Sequence, residues 1–210
     1  EQENLTLVDE WYAWSGSTPY ATSAEAITVT AGESLIDIDF SLDIGGVISG
    51  HVFDAAGNPL ENIPVTIGGP DYGDNACTFA DGSFQFRGVA RGLEMRVWAG
   101  EPGENWCGGP EIYLKQFWNN KPDWESADTI VLSKGELRTD IEFTMQIGGT
   151  ISGIVTDAAT GVPIPDMPVM VDTGDFGVGT CTGPDGRYSI SGLALMTDWR
   201  VVAAPISENN

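Results

Sequence analysis

The sequence predicts an all-β protein made of tandem β-sandwich repeats, and three observations carry that prediction. The stretch GGVISGHVFDAAGNPL, from Gly45 to Leu60, returns as GGTISGIVTDAATGVPI from Gly148 to Ile164. Glycine numbers 27 and proline 12 among 210 residues, with Thr, Val and Ile plentiful, and no stretch longer than a turn or two sets apolar residues at helical spacing. A chain of this length can hold one large domain or two of about 100 residues, each with its own core, and the repeat selects the second.

Taken in order, residues 26–44 open with a short strand signal and a Gly turn, followed by a clean alternation. Ile36, Ile38, Phe40, Leu42 and Ile44 point one way while Asp37, Asp39, Ser41 and Asp43 point the other, the period of a strand with one buried face. The same strand recurs as Ile141, Phe143, Met145 and Ile147 against Asp140, Glu142, Thr144 and Gln146. Carboxylates on one side of a strand are read here as its wet face rather than as metal ligands. After the Gly-Gly step come a strand from Ile48 to Phe53, a turn through Gly57 and Pro59, and a strand from Ile63 to Ile67. Cys77 to Phe86 reads as two short strands around Asp81-Gly82, a dipeptide at home in tight hairpins, and MRVWA ending at Ala99 as the next. The second copy keeps this order: Met167 to Val171, Cys181, Asp185-Gly186, Tyr188 to Ile190, Gly192-Leu193, and Arg200 to Ala203. Short strands at this spacing with Gly, Pro and Asp punctuation indicate a sandwich.

Nine basic residues against 31 acidic ones give a formal charge of -22, a field that repels nucleic acid and anionic membranes. Nucleic-acid binding is excluded on that ground, and the acidic surface is read as the solvated exterior of an extracellular protein. No apolar run approaches the length of a membrane span. Glu1 is not preceded by a charged and apolar leader, so the chain is read as a mature product or an excised segment.

At the level of motifs, the order I-S-G-x-V-x-D, then P-V-x-(I/V), then C-T with D-G-x-(F/Y)-x-(F/I)-x-G-(V/L), then R-V-x-A resembles the carboxypeptidase regulatory-like and Cna B-type repeats of bacterial surface proteins. The segment from Tyr113 to Met145 resembles the C-terminal part of bacterial repeats of this kind. The resemblance implies a transthyretin-like (prealbumin-like, Ig-like) seven-stranded sandwich. It implies less about function, since such modules serve as stalks, spacers, adhesin parts and enzyme appendages. Cna B-type repeats also raise the question of an internal Lys-Asn isopeptide bond. The first strands ISGHVFD and ISGIVTD carry no lysine and the last strands no asparagine, so none is expected.

The phase of the repeat leads to an assembly reading. Gly46 and Gly149 lie 103 residues apart, so residues 47–149 are expected to form one complete sandwich. Residues 1–46 match the C-terminal part of a repeat, with Pro19, Ala24, Ile27, Gly32 and Phe40 in the places of Pro122, Ala127, Ile130, Gly135 and Phe143, and residues 150–210 match its N-terminal part. If Asn210 is joined to Glu1, Ala203 reaches Trp11 in 18 residues, the spacing of Ala99 and Phe117 in the complete copy. Half a sandwich leaves apolar faces and unpaired edges, both costly. Completion by the next copy, by covalent continuation of a longer array, or by closure within one chain fits the arithmetic equally, and a head-to-tail polymer is the favoured expectation.

Catalytic chemistry finds little footing. The one histidine, His51, has Ile154 at its equivalent position, which leaves a Ser or Cys nucleophile without a general base. One histidine and three scattered cysteines do not make a zinc site, and no phosphate-binding loop appears. No enzyme activity, cofactor or metal is therefore expected. Cys77 and Cys107 lie within one repeat, where closing a loop of about 30 residues contributes on the order of 3 kcal/mol. They are expected to form a disulfide, leaving Cys181 as a free, buried thiol. Exposed rings such as Trp14 and Trp124 could serve a carbohydrate-binding or accessory module of a larger secreted enzyme or adhesin, the alternative to a fibre. Core and inter-repeat packing is the favoured use of these aromatics. Asn4-Leu5-Thr6 is a glycosylation sequon by pattern.

Overall fold

The alternation that follows the first Gly-Gly step becomes a long strand flanked on both sides, and it organises the first of two units. The computed structural model describes residues 7–14, 16–70, 72–102, 105–174 and 177–204. One unit comprises Glu1–Glu61, Val65–Ala99 and Gln116–Thr144, and the other Asn62–Pro64, Gly100–Lys115 and Met145–Asn210. Among the described residues the regular structure is β-strand apart from a 3-10 turn at Ala21–Ser23.

In the first unit, β1 (Trp11–Ala13) and β2 (Gly16–Thr18) form a small hairpin. Strands β3 (Gly46–Asp54), β6 (Ser83–Val89) and β9 (Leu137–Met145) make a three-stranded sheet in the order β6-β3-β9. Strands β4 (Pro64–Gly68), β5 (Gly73–Cys77), β7 (Arg96–Ala99) and β8 (Gln116–Phe117) make a four-stranded sheet in the order β5-β4-β7-β8. The registers set apolar residues opposite one another: Ile48 faces Phe86, Val65 faces Ala99, and Ile67 faces Val97. Ile48, Val52, Phe84, Phe86, Ile141 and Phe143 on the first sheet are fully buried, as are Val65, Ile67, Val97 and Ala99 on the second. Burial of each large side chain stabilises the sandwich by about 1.5–3 kcal/mol. Strands β3 to β9 number seven, the number the family resemblance implies, but β5 lies ahead of the Cys77–Phe86 stretch read as two strands, and β8 falls where the sequence predicts no strand.

Two expectations need correction. Asp81-Gly82 does not close a hairpin between paired strands, because β5 belongs to one sheet and β6 to the other. The turn, fastened by the Gly82 N–H donating to the Phe79 carbonyl at 2.8 Å, carries the chain between sheets. Residues 36–43, which the alternation marks as a strand, pair with no strand among the described residues. The physical reason lies in their own unit: β3 already has β6 on one side and β9 on the other, so no edge of it remains.

The second unit holds the later copy. Strand β10 (Gly149–Ile154) pairs with β13 (Arg187–Leu193), and β11 (Pro168–Asp172) lies between β12 (Gly177–Cys181) and β14 (Arg200–Ala203). Ile151 faces Ile190 as Ile48 faces Phe86. The core is small: Val171, Val178, Ile190 and Leu193 are buried, with Ile151, Tyr188 and Trp199 half-covered around them.

Candidate assembly site: the repeated joint and the open edges

The Gly-Gly step is a close approach of two backbones, and it is built twice. A Cβ on Gly45 would come within 2.5 Å of the Gly88 carbonyl carbon, and a Cβ on Gly148 within 2.6 Å of the corresponding atom of Gly192. Real side chains do not tolerate such distances, so the sequence has glycine on both sides of each contact. Gly88 and Gly192 have φ of 71° and 72°, the left-handed region that glycine enters without steric cost. The neighbouring strand pieces repeat as well. Leu7 bridges Ile44 in the first joint, and Tyr113 bridges Ile147 in the second. The Val8 N–H donates to the Asp43 carbonyl at 2.9 Å, and the Leu114 N–H donates to the Gln146 carbonyl at 2.8 Å. Thus the same set of contacts is built around Gly45 in one unit and around Gly148 in the other.

The joints differ in charge. Asp43 accepts from Lys134 at 2.7 Å and pairs with Arg91 at 3.0 Å, beside a cleft of about 750 Å³ lined by Tyr20, Ser41 and Gly92 among others. The Lys134 hydrogen bond, with the Arg91 charge assisting, holds the Asp43 carboxyl below its usual range. Gln146 occupies the matching place at the second joint, where that ion pair has no equivalent.

Two strands that are paired on both sides in the first copy have counterparts paired on one side in the later copy. Among the described residues, β10 pairs with β13 alone and β14 with β11 alone, whereas their counterparts β3 and β7 are paired on both sides. Val97 and Ala99 of β7 are buried, but all four residues of β14 are exposed. Gly50 of β3 explains the close packing of β9: a Cβ there would lie 1.6 Å from the Ile141 carbonyl oxygen. Gly153 is its counterpart in β10, and there the atoms nearest to a Cβ are those of the Tyr188 side chain.

The residues singled out from sequence fall as follows. Cys77 and Cys107 are both disulfide-bonded. Cys181 is a free thiol and is exposed, not buried as expected. The reason is strand phase: β12 turns Val178 inward and leaves its odd-numbered residues, Cys181 among them, facing outward. Trp14 is 74% exposed and meets the edge of Tyr12, with ring centroids 5.6 Å apart. Trp124 packs edge-on against Trp98 and Phe117, with the Arg96 guanidinium 4.6 Å from its ring centre, so it and Trp14 sit in different surroundings. His51 stacks on Phe53 at 5.8 Å. Asn4 lies outside the described residues. Among the described residues, no group of three His, Cys, Asp or Glu is placed to hold a metal ion, and no helix is long and apolar enough to cross a membrane.

No protein-family model matches the chain, and no curated protein matches it significantly. Solved structures with some likeness include the Bacillus anthracis TIE protein, at 14% identity and a TM-score of 0.34, covering 78% of this chain and 32% of that one. A streptococcal ancillary pilin gives 15% identity and a TM-score of 0.35 over 78% of this chain and 59% of the other. The shaft pilin SpaA from Lactobacillus rhamnosus GG gives 9% identity and a TM-score of 0.34 over 78% and 88%. The chain thus spans about a third of the first of these and less than two thirds of the second. Scores this low constrain neither fold nor function, which rest on the sheets and joints described above.

Proposed function

We propose that the chain is a structural repeat of an extracellular fibre, stalk or surface filament whose β-sandwiches follow one another head to tail. The observation that supports this most is the joint built twice, at Gly45 with Gly88 and at Gly148 with Gly192. A contact that recurs with the same backbone geometry on both sides of a sandwich is what a linear array needs, because each added unit presents the surface its successor uses. In this reading residues 47–149 are a complete sandwich, residues 1–46 the C-terminal part of another, and residues 150–210 the N-terminal part of another. Disulfide-bonded cysteines and a formal charge of -22 suit an oxidising exterior and a soluble polymer. The function is mechanical and uses no catalytic residue, metal or cofactor, and the partner is a second copy of the chain. Electron microscopy of the concentrated protein tests the proposal: thin beaded filaments are expected, and compact particles of one chain at every concentration would refute it.

A further inference from the structure

We infer that the outer face of the four-stranded sheet binds a carboxylate-bearing saccharide, through Arg96 and the rings of Trp98 and Trp124. Every residue of this site lies on the complete sandwich, so it stands apart from the fibre reading. Arg96 and Trp98 alternate along β7 with the buried Val97 and Ala99 and so share its outer side. The arginines themselves single the place out. Arg91, Arg138, Arg187 and Arg200 each meet a carboxylate, as expected where 31 acidic residues surround nine basic ones. Arg87 is exposed to solvent. Arg96 is half-buried, its Nε is shut off from solvent without a partner, and its guanidinium lies 4.6 Å from the Trp124 ring centre, with no carboxylate paired to it among the described residues.

The same arginine is satisfied in the later copy. Arg200 stands opposite Asp172 and pairs with it at 2.9 Å, whereas Arg96 stands opposite Gly68, which has no side chain to offer. Over that glycine lies the Trp98 indole: a Cβ on Gly68 would come within 3.0 Å and 3.2 Å of two atoms of its six-membered ring. Val202 holds the matching place in β14. Glycine for aspartate and tryptophan for valine thus occur together, and they set an aromatic floor beside an unpaired cation where the other copy has an ion pair. Trp124 forms a wall to that floor, its plane at 75° to Trp98 with centroids 5.9 Å apart. It also packs on the buried Phe117, yet 38% of it stays exposed. Across the strand from Trp98, Thr66 donates to the Asn75 amide oxygen at 2.9 Å, so the amide nitrogen of this exposed residue remains a donor. Indole faces are electron-rich and attract the C–H face of a sugar ring, and the flanking donors suit its oxygens. A ligand carboxylate would give Arg96 the charge-assisted partner that Asp172 gives Arg200. A flat ring covers the corner between two indoles, which the flexible stem of an acidic peptide side chain does not. The formal charge of -22 opposes polyanions, so the fit is to a single acidic sugar rather than to a polyuronate.

Isothermal titration of the full chain with two pairs of sugars tests the site: cellobiouronic acid against cellobiose, and sialyllactose against lactose. At least one acidic sugar is expected to bind about tenfold more tightly than its neutral counterpart, the scale of one charge-assisted hydrogen bond. Arg96→Gln keeps an amide donor without the charge and should bring the acidic sugar down to its neutral counterpart. Gly68→Asp supplies the carboxylate from within, as Asp172 does for Arg200, and should abolish the acidic preference as well. Trp124→Ala should weaken both members of the pair, with near-ultraviolet circular dichroism of each variant showing the sandwich intact. No binding of either acidic sugar by the unmodified chain, equal binding of acidic and neutral sugars, or an acidic preference that survives Arg96→Gln overturns the assignment. None of these results bears on filament formation, which microscopy reads separately.

Discussion

Replacing Phe143 and Phe40 in turn by alanine separates a buried strand from its exposed twin. Phe143 is 1% exposed and packs against Phe84 across 6.1 Å, so Phe143→Ala removes a full ring from a core that cannot close over the space. Such truncations cost about 3–5 kcal/mol. With a urea m-value of about 2 kcal/mol per molar for a sandwich of this size, the midpoint should fall by about 2 M. Phe40→Ala removes a ring that is 52% exposed, and surface changes stay within about 0.5 kcal/mol. Its midpoint should move by about 0.25 M or less. The assay is urea unfolding followed by tryptophan fluorescence at concentrations too low for assembly, with Trp98, packed on Phe117 at 5.5 Å, as reporter. Equal shifts for the two variants would refute the reasoning, since they would mean that the 36–42 segment is already buried within its own chain.

Three further outcomes follow from local chemistry. The Asp54 carboxyl accepts from the Asn58 side chain at 2.9 Å and from the N–H groups of Ala56 and Asn58 at 2.8 Å, which together hold it below its usual value of 3.8. Its contribution is therefore present above about pH 3.8 and lost as the pH falls through the lower folded value; Asp54→Asn should lower the melting temperature at neutral pH, with the difference shrinking in acid. Denatured without reductant, the protein should take up one equivalent of iodoacetamide, and after reduction three. Reduction should also lower the melting temperature by more than about 10 °C, given a loop worth about 3 kcal/mol, and two or more equivalents before reduction would contradict the pairing. Asp43→Asn removes exposed ion pairs to Lys134 and Arg91, so any loss in melting temperature should be small at low salt and vanish at high salt.

Much of the fold is legible in the sequence because it is written in alternation and punctuation. Strands β3, β4, β7, β9, β11, β13 and β14 fall where period-two apolar runs end at Gly, Pro or Asp. What alternation cannot specify is a strand's neighbour. Ile36 to Leu42 announces a buried face, yet pairing needs a free edge, and β3 has none left. The Asp81-Gly82 turn likewise reveals a reversal but not that the strands on either side of it belong to different sheets. Cys181 shows a third limit, since its exposure depends on which face of β12 turns inward, and that is fixed by Val178 in three dimensions. The Gly-Gly steps are visible as markers of the repeat. Their reason, a backbone-to-backbone approach to Gly88 and Gly192, needs coordinates because the partners are some 40 residues away along the chain.

Amide hydrogen exchange, compared between dilute chain and assembled material, probes the central claim most directly. The amides of strands β3, β4, β7 and β9 should be protected in both, and protection that appears only in the assembled material should mark the surface through which copies meet. Concentrated protein in which every amide exchanges as in the dilute chain would contradict the account.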